Sequence, residues 1–477
     1  MIRTIRSMYS NLQSCVRLNG NITDWFSVET GVRQGDNLAP TLFALFINDL
    51  TLDINSVHCG ISLDTDLELS ILLYADDVVL MSDSADGLQN QLTALNNWSV
   101  KWNLRINSDK TKIVHCRKAS SPRSTHNFKL GDKSVDYVSA YRYLGFTISE
   151  TLDYTVGVSE LGTASSRALG ALTSKYFKIG GLDYDTFTKV FDSTVIPIMT
   201  YSSGVWGYKV YDKLERLQYR AIRTFLGVGK TTPIPAICGD FGWTPIHIKQ
   251  HCNIVRLWHR IVSMNAHRIP HKIFMWDANF SHTHRCTWYN EVKSIMDICE
   301  MMDLFQNNYT NGLSAKFVCS QAETMLLRKH KEQWTLDVDG MPKLRTFKLL
   351  DSCYEVQPYV KANITRQQRS VLARMRCGTY SLEIEKGRYR GIPAVRRFCK
   401  MCRDNQTVED EKHFLIHCPS YSEERNTFFI DFQLRNNTDF SNMNDTEILK
   451  LLLSIDSKFV ADFIINISNI RNHLLSV

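Results

Sequence analysis

Apolar and polar positions change period along the chain, and the changes predict the order of elements. Residues 1–20 carry a helical pattern that runs into Asn19-Gly20-Asn21, a turn signal, and alternation around Trp25 and Phe26 predicts a short strand. From Gly31 to Pro40 the loop GVRQGDNLAP leads to a helix opened by Pro40 and carrying Leu42, Phe43, Leu45, Phe46, Ile47 and Leu50. Residues 71–81, ILLYADDVVLM, are two apolar, β-prone runs meeting at Asp76-Asp77, a strand pair. Leu88, Leu92, Leu95, Trp98 and Trp102 then recur at helical spacing, which predicts an amphipathic helix packed on a sheet. Short strands near 112–116 and 141–148 complete an order that suits an α+β layer.

Beyond residue 160 the pattern turns helical, with stretches at 185–202 and 211–227. In the second, Leu214, Leu217, Ala221 and Phe225 share one face, and Arg216, Arg220 and Arg223 share the opposite one. Residues 260–345 carry little pattern, and Pro342 marks a weak boundary.

Composition narrows the classes. A chain of 477 residues with 44% hydrophobic positions has material for several cores and is not generally disordered. The net charge of +7 is modest, but Lys361 to Arg403 holds twelve Lys or Arg against only Glu383 and Glu385, an electrostatic footprint suited to a polyanion. Thirteen cysteines, an odd number with one close pair, argue for a reducing compartment rather than a disulfide framework. With no apolar leader and no run near the roughly 20 residues that span a bilayer, the chain reads as soluble and intracellular.

The strongest chemical signal is Tyr74-Ala75-Asp76-Asp77. Two adjacent carboxylates between apolar runs are expected to be partly desolvated and mutually repulsive, which favours divalent cations; a solvated turn is the plain alternative. Mg²⁺ is the hard cation that takes carboxylate and phosphate oxygens, and a pair of such ions serves phosphoryl transfer. Upstream stands GVRQGDNLAPTLF; downstream stand Asn107-Ser108-Asp109-Lys110-Thr111-Lys112 and then Tyr143-Leu144-Gly145.

In this order and spacing, the four motifs resemble the palm of reverse transcriptases from non-LTR (LINE-type) retrotransposons, and the likeness extends over residues 1 to about 240. The resemblance implies that Gly31, Gln34 and Gly35 lie against template and incoming nucleotide, where small residues allow close backbone approach. It also implies that Asp76 holds metal with Asp77 beside it, and that Tyr74 and Ala75 line the primer end. Lys110 would stabilise or protonate pyrophosphate, and Tyr143, Leu144 and Gly145 would form a primer grip. Taken alone, Lys110 reads as a solvated lysine and Tyr143 as core. Asn37 and Ala39 depart from the proline and serine usual in the family loop.

A larger departure concerns the first metal aspartate, which in the family sits on a strand before the helix that residues 1–18 resemble. Asp24, Asp36, Asp49 and Asp53 lack that strand-then-helix context, so the expectation is an incomplete two-metal site and little polymerase activity from this chain alone. The arginine face at Arg216, Arg220 and Arg223 falls where the resemblance places a thumb, suited to phosphate contacts; a solvated basic face is the alternative.

The second constellation is Cys399-Lys400-Met401-Cys402 with His413 and Cys418. Two cysteines separated by two residues grip one zinc, and a His with a nearby Cys completes a closed, structural Cys₃His set. His417 competes with His413, and only spacing favours the latter. Similar Cys-Cys-His-Cys knuckles end many retrotransposon reverse transcriptases, and the Arg376-Cys377-Gly378 turn with its basic run resembles the segment before them. His282, His284 and Cys286 are spaced loosely and lack a fourth ligand, so they read as surface residues.

The predicted architecture is α+β: a partial palm at 1–150, a helical thumb and connector at 151–260, a helical linker region at 261–345, a basic region with a zinc knuckle at 346–430, and a helical tail at 431–477. The predicted function is RNA-directed DNA synthesis with Mg²⁺, deoxynucleoside triphosphates, RNA template and DNA primer or target, in cytoplasm and nucleus by resemblance. The rivals are a non-catalytic nucleic-acid-binding remnant and a protein-docking scaffold.

Overall fold

A computed structural model describes residues 1–64, 67–282, 287–307, 312–350, 352–402 and 406–476. It is mixed but mostly helical, 57%, and its sheets are small. The chain divides into two compact units, one of residues 1–141 with 149–152, the other of 142–148 with 153–477.

In the first unit the expected α+β layer is not one sheet. Among the described residues every sheet has two strands. The helix predicted over 1–20 is confined to Ile2–Met8. It stops there because Asn11 and Asn19 take left-handed backbone, a conformation asparagine tolerates, and Asn19-Gly20 forms the tight turn between Arg17–Leu18 and Asn21–Ile22. Around that ribbon Gln13–Ser14 pairs with Phe26–Ser27.

Helix Ala39–Asn55, with Pro40 in its first turn, packs on helix Ala85–Lys101, whose Ser84 Oγ accepts a capping bond from Gly87 N at 3.2 Å. Their apolar faces meet through Ile47, Leu50, Leu92, Leu95 and Trp98, and Trp98 Nε1 donates to Asp49 Oδ1 at 2.9 Å. Strands Ile71–Tyr74 and Asp77–Leu80 form an antiparallel hairpin whose Ile71 enters this core. The strand expected at 112–116 is reduced to one bridge, Ile113 to Tyr137, because the following loop turns away to hold Glu150 between Arg117 and Arg123. The 141–148 expectation resolves into two strands, Ala140–Tyr143 and Phe146–Ser149, joined through the left-handed pair Leu144-Gly145.

The second unit is a helical assembly. The stretch 185–202 is interrupted after helix Tyr184–Thr194, and Pro197 opens a separate short turn, Ile196–Met199. Helix Asp212–Leu226 ends at Gly227, left-handed with φ 70°. Its Leu214, Ala221 and Phe225 are fully buried among aromatic rings, where Trp243 stacks on Phe191 at 4.4 Å. Residues 261–345 contribute helices Ile269–Phe280, Trp288–Ile298 and Ala315–Asp339, which pack with helix Ile246–Val262 around Trp258, Phe274, Met296 and Phe305.

Pro342 begins a short turn inside this unit rather than a linker. Helix Arg366–Arg376, closed at its start by a Thr365–Gln368 capping box, packs on the C-terminal helix Ser457–Ser476.

Candidate functional site

The hairpin turn is made of Ala75 and Asp76, with Tyr74 opposite Asp77 and Ala75 at φ 51°. The desolvation expected for the two aspartates is not found: Tyr74, Ala75, Asp76 and Asp77 are all exposed, because the hairpin's core contacts, through Ile71, Leu73, Val78 and Leu80, stop short of the turn. Among the described residues no third His, Cys, Asp or Glu joins the pair as a metal-sized group. Two of the four upstream aspartates, Asp36 and Asp49, have structural partners. Asp36 accepts from Leu38 N at 3.0 Å and from Tyr9 OH at 2.9 Å, which hold its carboxyl below the usual range, and Asp49 accepts from Trp98.

Gly31 and Gly35 both take positive φ, 88° and 90°, and an added Cβ at either would meet nothing within 4 Å. They serve the path of the loop; the close approach expected there is not one made by this chain itself. Gln34 is exposed beside a cleft of about 700 Å³ bordered by Met8, Asn11, Gln13, Gly31 and Arg33. Lys110 is exposed, its backbone N donating to Asn107 Oδ1 and its carbonyl accepting from Tyr141 OH. Tyr143 and Leu144 are half-buried, and Leu144 O accepts from Tyr201 OH. Phe146 stacks on Trp206 just beyond Gly145.

The arginine face is not uniformly solvated. Arg216 is exposed and pairs with Asp212 at 3.4 Å, Arg220 donates to Ser166 Oγ at 3.1 Å, and Arg223 donates to Thr232 O at 3.2 Å. Burial lowers the Arg223 pKa. The basic run is likewise partly internal. Arg376 is buried and bidentate to Asp240 at 2.8 and 2.9 Å, and Asp240 also accepts from Tyr359 OH at 2.8 Å. This buried network ties the Arg376 turn to helix Ile234–Phe241. Gly378, at φ 62°, completes the turn, and a Cβ there would lie 2.4 Å from Lys343 O.

Cys399, Cys402, His413 and Cys418 come together, their ligand atoms within 4.8 Å of one another and all four residues buried. A short ribbon positions the first pair: Cys399 N donates to Thr407 O at 2.8 Å, and Glu409 N donates to Arg397 O at 3.0 Å. His413–His417 is one wide turn in which Cys418 N donates to His413 O, so residues five apart face the same point.

Sγ of Cys402 lies 3.2 Å from His413 Nε2 and 3.7 Å from Cys418 Sγ, and Cys399 Sγ lies 4.0 Å from Cys418 Sγ. Tetrahedral thiolate ligation of zinc at ~2.3 Å requires S···S edges of roughly 3.8 Å, so the donor set fits. His417 is excluded from the cluster; its Nε2 pairs with Asp445 at 2.8 Å. The bond with Cys418, then burial, push the Cys399 thiol up to about 12, while the bond with Cys399 lowers Cys418. His282 is exposed, and His284 and Cys286 lie outside the described residues.

Sequence reasoning missed the charged residues that support this cluster. Arg471 holds Glu409 through two 2.7 Å bonds, both residues buried, and Glu409 also accepts from Glu383 N. Arg425 donates to Cys418 O at 2.8 Å. The signal was present: Arg425 shares a face with Phe428 and Phe432, and Arg471 shares one with Ile464 and Ile467, charges on otherwise apolar faces.

Residues 2–148 match the family model for reverse transcriptase (RNA-dependent DNA polymerase). Residues 2–148 thus carry a reverse transcriptase domain sequence. It is similar to the RNA-directed DNA polymerase from mobile element jockey of Drosophila melanogaster, 25% identical over 42% of this chain and 22% of that protein. It is also similar to the probable RNA-directed DNA polymerase from transposon BS of Drosophila melanogaster, 27% identical over 46% and 25%. A third relative is the Pol polyprotein of type-1 retrotransposable element R2 of Popillia japonica, 26% identical over 32% and 25%. The chain spans about a quarter of the length of these relatives. Among the described residues no helix is long and apolar enough to cross a membrane.

Proposed function

We propose that this chain contributes to RNA-directed DNA synthesis for a non-LTR retrotransposon, with Asp76 and Asp77 as Mg²⁺ ligands. The observation that supports this reading is the exposed Asp76-Asp77 turn, within the matched domain, whose carboxylates have no internal ion pair among the described residues. When bound, the ions would activate a primer 3′-hydroxyl and stabilise leaving pyrophosphate. Exposed oxygen donors suit that hard cation, but the pair needs a further carboxylate that the described residues do not bring to it.

The chain's own groups then have positioning work. Gly31, Gln34 and Gly35 lie along template and nucleotide, Tyr74 and Ala75 meet the primer end, and Tyr143, Leu144 and Gly145 hold the primer strand. Lys110 reaches pyrophosphate. Arg216 and Arg220, with the exposed part of the basic region, hold nucleic-acid backbone, and Zn²⁺ at Cys399, Cys402, His413 and Cys418 fixes that region's fold. The 1–150 segment acts as palm and 151–260 as thumb and connector. Work on nuclear DNA places the chain in cytoplasm and nucleus.

Primer extension on RNA template with Mg²⁺ tests the reading, comparing the chain with its Asp76→Ala, Asp77→Ala double variant. With no further carboxylate supplied, neither extends, and both bind template-primer with an affinity that falls as salt rises. Extension lost in the double variant shows that another acid completes the site. Absence of binding at low salt rejects the reading. A non-catalytic binding role is favoured by the same missing ligand, and it predicts binding without extension even when a partner segment bearing the missing acid is added.

A further inference from the structure

The Cys₃His cluster poses a charge problem that its four ligands do not solve. Three thiolates and a neutral imidazole around a divalent ion leave one negative charge in excess, in a buried place. Buried charge is tolerated when a partner compensates it. Arg471 is already matched by Glu409, as Arg376 is by Asp240. Arg369 lies over the Phe225 ring at 4.2 Å.

Arg425 differs. It is only 7% exposed, its Nη2 donates to Cys418 O at 2.8 Å, and its Nη1 is buried without a hydrogen-bond partner. No carboxylate among the described residues forms an ion pair with it. Helix Ser422–Asn436 thus brings a guanidinium with no carboxylate ion pair among the described residues, and only Glu424 acting on it through space, to the backbone of a candidate ligand cysteine.

We propose that Arg425 is the positioning residue whose positive charge compensates the loaded Cys₃His site, coupling metal affinity to docking of helix Ser422–Asn436. This rests on the zinc reading given above. Metal then stabilises Arg425 as much as Arg425 stabilises metal, because coupling between two binding events is reciprocal. Without the metal-site charge, the guanidinium is a buried cation met by the Cys418 carbonyl and, through space, by Glu424.

The test uses the full chain, stripped of metal, with zinc affinity measured by competition against a chromophoric chelator and the melting temperature of the metal-free form measured alongside. If the unsubstituted chain takes up no zinc, the zinc reading fails and this inference with it. If it does, Arg425→Met should weaken zinc about ten- to a hundred-fold, while the metal-free melting temperature stays or rises. Arg425→Lys, which keeps the charge, should remain within a few-fold of the unsubstituted chain.

Equal affinity in Arg425→Met overturns the inference. So does a metal-free melting temperature that falls in step with affinity while Arg425→Lys fares no better, since that pattern marks a purely structural contact. Should Arg425→Met fail to fold, Arg425→Lys decides alone: retained affinity supports charge compensation, and lost affinity rejects it.

Discussion

The Asp76-Asp77 hairpin and the Cys399–Cys418 cluster are both sets of metal-ligand residue types on short turns, yet they are built in opposite ways. The hairpin offers two exposed carboxylates with no third ligand among the described residues, whereas the cluster gathers four buried ligands and seats them on buried charged pairs. On the function proposed above, the difference follows from what each would have to do. A site for exchangeable hard cations and nucleotides has to stay open to solvent, and a structural thiolate site gains from closure. On the proposed reading the hairpin is a component of a site, and the cluster is a full set of four ligands.

Metal removal should separate them most sharply. Chelation, or Cys399→Ser with Cys402→Ser, removes a binding energy that reaches ~10–16 kcal/mol in small zinc domains. The expected result is loss of hydrogen-exchange protection over residues 397–418 and 457–476, with helices Ala39–Asn55 and Ala85–Lys101 unchanged. Protection that survives chelation would mean that the buried pairs alone hold the cluster.

The next largest effect belongs to the buried pair that supports the Arg376 turn. Asp240→Ala leaves Arg376 buried without its carboxylate and should cost about 3–5 kcal/mol in denaturant unfolding. The matched change Asp76→Ala removes an exposed carboxylate at no such cost, so a small effect at Asp240 would erase the contrast.

Acid should act on the helical unit as well. Burial, and then the neighbouring His247, lower His251 and His330 from 6.5 to about 4, with Glu215 opposing at both and Asp337 at His330. Each imidazole binds its proton more weakly folded than unfolded, so their contribution is fully present above pH 6.5. It declines as pH falls from there toward 4, by a few kcal/mol at most. Unfolding followed against pH should show that slope, and His251→Gln with His330→Gln should flatten it.

The smallest effect is expected at the hairpin itself. Asp76→Ala with Asp77→Ala should change stability by less than about 0.5 kcal/mol, because both groups are exposed and form no ion pair among the described residues. A larger loss in thermal unfolding would show that the pair has an internal role.

The sequence was most legible where a local pattern decides structure. The Asp76-Asp77 hairpin, the helix from Pro40 and the helix ending at Gly227 are each announced by periodicity and a turn or cap residue. The Cys₃His set was legible from spacing, although choosing His413 over His417 required the wide turn that brings Cys418 N to His413 O. What stayed hidden is long-range. Arg376 and Asp240 are 136 residues apart, so the basic run read as surface charge while two of its arginines, Arg369 and Arg376, are buried. Helicity over residues 9–20 was over-read because two left-handed asparagines outweigh an apolar period.

Metal stoichiometry of the purified chain tests the contrast most directly. The chain, loaded with zinc and manganese together and passed through gel filtration, should retain one zinc, lost in Cys399→Ser with Cys402→Ser, and no manganese. Manganese retained by the chain and lost in Asp76→Ala with Asp77→Ala would contradict the account, because the aspartate pair would then be a complete site.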